Sequence, residues 1–330
     1  MLGMMKPDYK RTKAYIPKIH HQRSTPNNVK SSFKTLRNRF IHKGRHIESS
    51  FTFGNDIVDQ FKSIQFDCLL TLNGHICPCF IIKFYHKFQL IRNVHDMSLS
   101  IGFTIRDREF IMSLENSGQV LQIPYKGTCV FSKDCSLEHL NTTHEKHASY
   151  QTNLPNIRDV IQNICIPSSH QSCSNPTIIL RDNLPPNIKD WELIVRENVI
   201  CVDTHKSSID ACSAIMLHHL KNSQNYNLAY FTAHKIESIK NRVNCPLPYG
   251  LLITRLYQFV LAKHPRLFRP HHTLQFLLHY RMMSSINRKN ERKRNKSKEV
   301  KIDIPYSPSS VESSNQSSPL LGYWPSVDKL

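Results

Sequence analysis

A chain of 330 residues with a net charge of +19 is long enough for one large domain or two ordinary ones. Nine glycines against eighteen prolines argue against glycine-rich phosphate loops and for many fixed turns. Residues 1–50 hold twelve Lys or Arg against two acids, and residues 281–301 hold nine against two. These two segments supply +17 of the net charge, so residues 51–280 are nearly neutral. This layout favours a polyanion-binding protein, and two solvated tails that only aid solubility are the alternative.

The apolar pattern excludes two classes of protein. No apolar run reaches the roughly 18–20 residues of a membrane span, so we expect no contact with a membrane. Residues 1–18 lack the apolar stretch of a secretory signal. Ten cysteines without such a signal indicate free thiols in a reducing compartment. We therefore expect a nuclear or cytoplasmic protein.

Hydrophobic periodicity predicts a mainly α-helical body with a small β-hairpin element, between disordered basic arms at both ends. The N-terminal arm covers residues 1–50, where Lys, Arg, Asn and Ser predominate. Residues 51–140 are predicted to form a helical subdomain that contains the β element.

Inside that subdomain, helices are predicted after Asn55 and after Pro78. Alternation of apolar and polar residues over 99–105 predicts a half-buried strand. Asp107 is predicted to cap a short helix that ends at Gly118, and a returning strand is predicted over 120–123.

The second half of the chain begins with residues 141–188, which are rich in Asn, Thr, Ser, His and Pro and predict a linker or irregular excursion. Residues 189–265 are predicted to form a second helical subdomain. In it, Ser207 and Asp210 resemble a capping box, and a last helix follows Pro248 and runs to Lys263. Residues 266–330 are predicted to be a basic and then Ser/Pro-rich disordered tail. Whether the two subdomains pack as one domain is open.

A distinctive motif, LPYG-x-x-I-T-R-L, runs from Leu247 to Leu256 within residues 245–265. Together with four other segments, it resembles the plant transposon protein domain family, which occurs in plant transposable-element products: 100–115, 121–140, 210–220 and 225–231. The resemblance implies a retrotransposon-associated origin and a mostly helical, gag-like or accessory role. It implies no catalytic residues. Within the motif, we expect Arg255 to form an ion pair inside the fold rather than to bind phosphate.

Short catalytic motifs of retroelement enzymes are missing from the sequence. No Asp-Asp pair is present to hold two polymerase metals, and Asp203-Thr204-His205 lacks the glycine of an aspartic protease motif. Neither a GxxxxGK[ST] loop nor a GxSxG elbow occurs. We predict a non-enzymatic protein without a cofactor. A degraded nuclease-like or hydrolase-like enzyme and a non-functional transposon remnant are the alternatives.

Cysteines and histidines form two groups along the sequence, and four such side chains could hold a zinc ion. Neither group has paired C-x-x-C spacing, so we predict structural thiols and surface histidines and no metal site. The pair His218 and His219 is interpreted as helix-surface or partly packed residues rather than as ligands. The two groups are His75, Cys77 and Cys79, and Cys129, Cys135, His139, His144 and His147.

The basic run of the C-terminal tail is the candidate binding site. Its cations could neutralise phosphates and release counterions, which predicts salt-sensitive, sequence-independent binding of RNA or DNA. The run also has the composition of a nuclear localisation signal. Its members are Arg288, Lys289, Arg292, Lys293, Arg294, Lys296 and Lys298. Aromatic residues between the N-terminal cations would suit stacking on single strands: Tyr9, Tyr15, Phe33 and Phe40. Self-association of the helical body is a further expectation.

Overall fold

The computed structural model describes residues 35–36, 39–52, 56–132, 154–167, 179–201, 207–242 and 245–268. The chain divides into two compact units, and all of these residues belong to the first, Met1–Asn287. The described part is mainly helical, with a three-stranded antiparallel sheet and a two-stranded antiparallel pair. The predicted helical body with a small β element is therefore confirmed.

The first part of the body contains α1 (Ser49–Thr52), α2 (Ile57–Ser63), α3 (Pro78–Lys87), β1 (Gln89–Arg92), β2 (Leu99–Ile105), β3 (Arg108–Ser113) and α4 (Leu114–Leu121). The second part contains α5 (Ile157–Ile164), β4 (Ile179–Leu180), α6 (Pro186–Val195), β5 (Ser208–Ile209), α7 (Ala211–Lys221), α8 (Leu228–Lys240) and α9 (Gly250–Lys263). A π-helical segment, Arg196–Ile200, continues α6. Short 3₁₀ turns lie at Asp67–Leu69, Arg181–Asn183 and Pro265–Leu267.

The three-stranded sheet corrects one prediction. Strand β2 is confirmed over the predicted residues, but the helix predicted after Asp107 is wrong, because residues 108–113 form strand β3. Arg106 and Asp107 both have positive φ, 51° and 63°, and they join Ile105 to Arg108 as a two-residue hairpin turn. The strand predicted over 120–123 is also wrong, since α4 continues to Leu121.

The helices of the second part pack on the first part in one hydrophobic core. Helix α9 contacts both α3 and α4, and helix α8 contacts α4 and β1. Aromatic residues fill the centre of this core. The ring centres of Phe84 and Phe103 are 5.5 Å apart, and Phe80 stacks on Tyr257 with ring centres 4.5 Å apart. Elements from residues 51–140 and 189–265 therefore share buried contacts.

Residues 157–164, within the stretch interpreted as a linker or excursion, form helix α5. The side chain of Asn156 accepts a hydrogen bond from the backbone N–H of Arg158 and caps the helix. Val160, Ile161 and Ile164 are buried, and α5 packs against α7. The stretch is polar overall, but the apolar residues of this helix recur every three to four positions and form one buried face. The overall composition did not reveal that face.

Residues 39–50, counted with the N-terminal arm in the sequence, lie on the body. Ile41 forms a β-bridge to Leu247, and Ile41 and Ile47 are buried. The backbone N–H of Gly250 donates to the carbonyl of His42 at 3.0 Å, at the start of α9. The LPYG segment thus gives the chain before α1 a backbone partner, which composition alone could not reveal.

Some helix boundaries were predicted correctly from the sequence and others were not. Helix α3 begins at Pro78 and helix α9 ends at Lys263, as predicted. The capping box at Ser207 is wrong, because Asp210 itself caps α7 and accepts from the backbone N–H of Ser213 at 2.9 Å. Ser208 and Ile209, before that cap, are in strand β5.

Candidate nucleic-acid interface

The predicted binding run, Arg288 to Lys298, lies outside the described residues. Among the four predicted stacking aromatics, Tyr9, Tyr15 and Phe33 also lie outside them. Phe40 is described, and it packs half-buried against the core. A half-buried ring against the core offers little face for a base.

Helices α3 and α8 end beside each other and gather cations there. The Nζ of Lys240, the last residue of α8, donates to the carbonyl of Phe88, which follows α3, at 2.7 Å. Both terminal nitrogens of Arg39 lie 3.2 Å from the carbonyl of Ile239 in the last turn of α8. His86 and Lys87 lie at the end of α3 and interact electrostatically with Lys240, and Arg92 lies 3.9 Å from Glu237 of α8. We define the α3–α8 basic patch as Arg39, His86, Lys87, Arg92 and Lys240.

Like charges in this patch act on one another. Burial lowers the pKa of His86, and Lys87 and Lys240 lower it further. Burial likewise lowers the pKa of Lys240, with Lys87 adding to the effect and Glu237 opposing it. Burial is thus the main cause of both lowered pKa values, and neighbouring lysines add to it.

The patch has negative groups beside it. The carboxylate of Glu237 lies 3.9 Å from Arg92, and both side chains of that pair are more than a third exposed. The C-termini of helices α3 and α8 carry about half a negative charge each.

A second cationic region, at the β2–β3 turn, is more balanced. The guanidinium of Arg108 lies 5.5 Å from the ring centre of Phe110, and His264 lies 5.7 Å from the same ring. Asp107 and Glu109, both exposed, flank Arg108 in the chain. The alternation of signs makes this region a weaker anion site than the α3–α8 basic patch.

A third group of charges pairs two buried carboxylates with three guanidiniums. Glu192, 3% exposed, lies between Arg181 at 3.0 Å and Arg196 at 3.7 Å. Glu197 lies 2.7 Å from Arg45 and 3.8 Å from Arg196. Burial raises the pKa of Glu192, while Arg196 and Arg181 oppose that rise. These alternating charges stabilise one another inside the fold rather than face a ligand.

The amide of Asn198 completes this buried group, in the π-helical segment. Its Oδ1 accepts from the backbone N–H of Arg45 at 2.6 Å. Its Nδ2 donates to the carbonyls of Arg45 at 3.1 Å and Leu69 at 2.9 Å. The side chain fixes residues 44–46 to the segment, so this π-helix has a structural explanation.

The LPYG motif also has structural contacts. The hydroxyl of Tyr249 donates to the carbonyl of Val199 at 2.6 Å, and the backbone N–H of Cys77 donates to Thr254 Oγ1 at 3.0 Å. Arg255 donates to the carbonyl of Leu121 at 3.4 Å, and no salt bridge of the described residues includes it. Within the described part of the chain, Arg255 thus makes a backbone contact where an ion pair was expected.

Thiols of the body lie in apolar surroundings. Burial raises the pKa values of Cys68 and Cys201 to about 12, which keeps both thiols protonated at neutral pH. Cys77 and Cys129 are buried as well, while Cys79 is exposed. In the described ranges, no three His, Cys, Asp or Glu side chains are grouped so as to hold a metal ion. The predicted group members Cys135, His139, His144 and His147 lie outside those ranges.

His218 and His219 are both buried on helix α7. The ring of His218 lies between the amides of Asn163 and Asn222, each 3.0 Å away. The Nδ1 of His219 lies 2.9 Å from the carbonyl of Ile215. These polar contacts account for both rings as packed residues of the body.

An open groove of about 410 Å³ runs between the start of α4 and the loop before α8. Its charged residues are Glu115 and Lys126, accompanied by Ser113, Tyr125 and Asn227. The set contains the thiol of Cys129, which is buried and hydrogen-bonded to the carbonyl of Gly127 at 3.6 Å. This lining resembles a mixed surface depression more than a set of convergent catalytic groups.

No helix within the described ranges combines the length and hydropathy needed to cross a membrane. No protein-family model, curated protein or solved structure matches this chain. Sequence reasoning missed the α3–α8 basic patch, although the cations at the predicted helix ends were a weak signal for it.

Proposed function

We propose that this chain is a non-enzymatic, transposable-element-derived protein of a gag-like or accessory kind that binds RNA or DNA non-specifically through its basic arms. The charge layout carries the proposal, since residues 1–50 and 281–301 hold +17 of the net charge of +19. A transposon origin rests on the LPYG-x-x-I-T-R-L resemblance at residues 247–256.

The mechanism is electrostatic. Seven cations between Arg288 and Lys298 would neutralise phosphates and release condensed counterions, so affinity should fall steeply as salt is raised. Because phosphates are the same in every sequence, such binding does not discriminate among bases. The body would then serve as a scaffold that holds the arms and associates with further copies or partners.

The test is a fluorescence-anisotropy titration of short RNA and DNA with the full chain and with a variant that lacks residues 281–301. At low salt, we expect the deletion to weaken binding by about tenfold or more. The slope of log affinity against log salt should fall by up to about 5, at about 0.7 per lost phosphate contact on single strands. Deletion of residues 302–322, an equal length without the basic run, is the matched control.

Unchanged binding after removal of residues 281–301 would overturn the arm-based mechanism. Metal-dependent cleavage of the nucleic acid above background would favour the nuclease alternative. A full chain that binds neither RNA nor DNA at low salt would leave the basic segments as solubility or targeting signals.

A further inference from the structure

We propose that the outer edge of strand β3 is a self-association surface, where two copies of this chain pair their β3 strands antiparallel about a two-fold axis at Ile111. This inference rests on the proposed function, because it locates the association with further copies that is proposed there for the body. The pairing joins the three-stranded sheets of two copies into one continuous sheet.

The outer edge of β3 is open in the described part of the chain. The sheet has the order β1-β2-β3, so β3 pairs with β2 on one side only. Helix α8 packs against β1, the other outer strand. Ile111, near the middle of β3, is 52% exposed, and Arg108, Glu109 and Ser113 are exposed as well. Solvent therefore reaches the side of β3 that faces away from β2.

The register of β3 shows which of its backbone groups point outward. Ile105 pairs with Arg108 directly beside the two-residue turn, and such a pair exchanges backbone hydrogen bonds. Hydrogen-bonded pairs alternate along an antiparallel ladder, so every second residue from Arg108 bonds to β2. The N–H and C=O groups of Glu109 and Ile111 face the open edge. No further backbone hydrogen bond between described residues uses them.

Strand β3 lacks the features that commonly protect an edge strand. A proline, a lysine or a bulge discourages pairing with another strand. Residues 108–113 contain neither proline nor lysine, and their register with β2 continues without a bulge. The exposed side chain of Ile111 instead offers apolar surface to a residue on an opposite strand. Such an edge is a template for pairing with another chain.

Charge complementarity identifies a second copy as the partner. The strand exposes one cation, Arg108, and one carboxylate, Glu109, so neither a purely acidic nor a purely basic strand matches it. With the axis at Ile111, Glu109 lies opposite Ser113 of the second copy, which caps α4, and a helix N-terminus favours a carboxylate. Arg108 lies towards the first turn of that helix, which carries Glu115. An axis at Glu109 would place two carboxylates opposite each other, which is unfavourable.

Apolar contacts favour the same register. Phe110 and Met112 pack half-buried against the core. The axis at Ile111 places Phe110 of one copy opposite Met112 of the other, and a thioether beside an aromatic ring is a favourable contact. Because each copy uses its open β3 edge, the pairing closes at a dimer.

Ile111→Lys tests the pairing, because it places two ammonium groups opposite each other at the axis. Its matched control is Leu180→Lys, since Leu180 is 44% exposed in β4, a strand of only two residues, and the two variants change net charge equally. Sedimentation velocity of the full chain without nucleic acid measures dimerisation, and thermal unfolding verifies that each variant is folded. We expect Ile111→Lys to weaken dimerisation about tenfold or more and Leu180→Lys by less than about twofold.

Cysteine cross-linking tests the register. Residues that form a hydrogen-bonded antiparallel pair have Cα atoms about 5.5 Å apart, which is within disulfide range. With glutathione disulfide as the oxidant, we expect the Ile111→Cys thiols of two copies to cross-link. The Glu109→Cys thiols should not, because the register separates their Cα atoms by about 15 Å. The unchanged chain measures the background from the exposed thiol of Cys79.

A full chain that stays monomeric at its highest soluble concentration would overturn the inference. Equal weakening by the two lysine variants, or equal cross-linking of the two cysteine variants, would overturn it as well. If the chain is monomeric and removal of residues 281–301 still weakens RNA binding, the inference fails and the proposed nucleic-acid binding stands. If a dimer sensitive to Ile111→Lys forms but the full chain binds neither RNA nor DNA, the inference stands and the proposed nucleic-acid binding fails.

Discussion

Two groups of charges in this molecule both combine cations with carboxylates, and they differ in burial. Around Glu192 the carboxylates are buried, and each lies against at least one guanidinium. In the α3–α8 basic patch, the carboxylate of Glu237 lies 3.9 Å from Arg92, and both side chains are more than a third exposed. What distinguishes the two groups is therefore the access of solvent to their ion pairs.

The largest test of this comparison removes a charge from the buried group. Glu192→Gln keeps the shape but leaves Arg181 and Arg196 without their shared carboxylate, so we expect the free energy of unfolding to fall by about 3 kcal/mol. Urea denaturation of the full chain measures this change in the free energy of unfolding. The exposed counterpart, Glu237→Gln, should cost less than about 1 kcal/mol. Equal costs for the two variants would remove the distinction between the groups.

A second test concerns the amide that ties the buried group to the N-terminal segment. Asn198→Ala removes three hydrogen bonds and leaves the carbonyl of Leu69 without that partner, so we expect a loss of about 2–3 kcal/mol. As a control, Asn163→Ala removes half-exposed contacts to His218 on α7 and to Asn222, which follows that helix, and should cost about 1 kcal/mol. If the urea midpoint fell further for Asn163→Ala than for Asn198→Ala, the structural role of the Asn198 amide would be contradicted.

The smallest test uses the pH dependence of the patch. Burial, Lys87 and Lys240 lower the pKa of His86 below its usual 6.5 in the folded protein. The unfolded chain therefore takes up a proton first, and this contribution to stability is lost as pH falls from about 6.5 towards the lowered pKa. The variant His86→Gln has no titrating group at this position, so it does not lose this stability as pH falls. We expect the unfolding free energy of the variant, relative to the unchanged chain, to increase as pH falls below 6.5.

The histidines His218 and His219 also have lowered pKa values, but they are common to both chains and cancel in the difference. A pH-independent difference between the two chains would show that His86 does not experience the charges of the patch.

Local patterns in the sequence were sufficient to predict an element where the residues of that element alone decide its structure. Pro78 at the first position of α3 and the alternation in β2 both gave correct elements. The hairpin after β2 was missed because Phe110, Ile111 and Leu114 also fit a helical spacing. Only pairing with β2 selects the extended form, with Phe110 against Phe103 and Ile111 left 52% exposed.

The sequence by itself determined the charge layout, the mainly helical class and the lack of short catalytic motifs, because these depend on composition and on near neighbours along the chain. The tertiary structure alone decided which charges meet. Glu192 and Arg181 are eleven residues apart in sequence, and Arg39 meets Ile239 across two hundred. In both pairs the residues are too far apart in sequence for a single helix or strand to bring them together. Only the packing of separate elements against each other could do so. The same packing turned four scattered cations and a histidine into one patch.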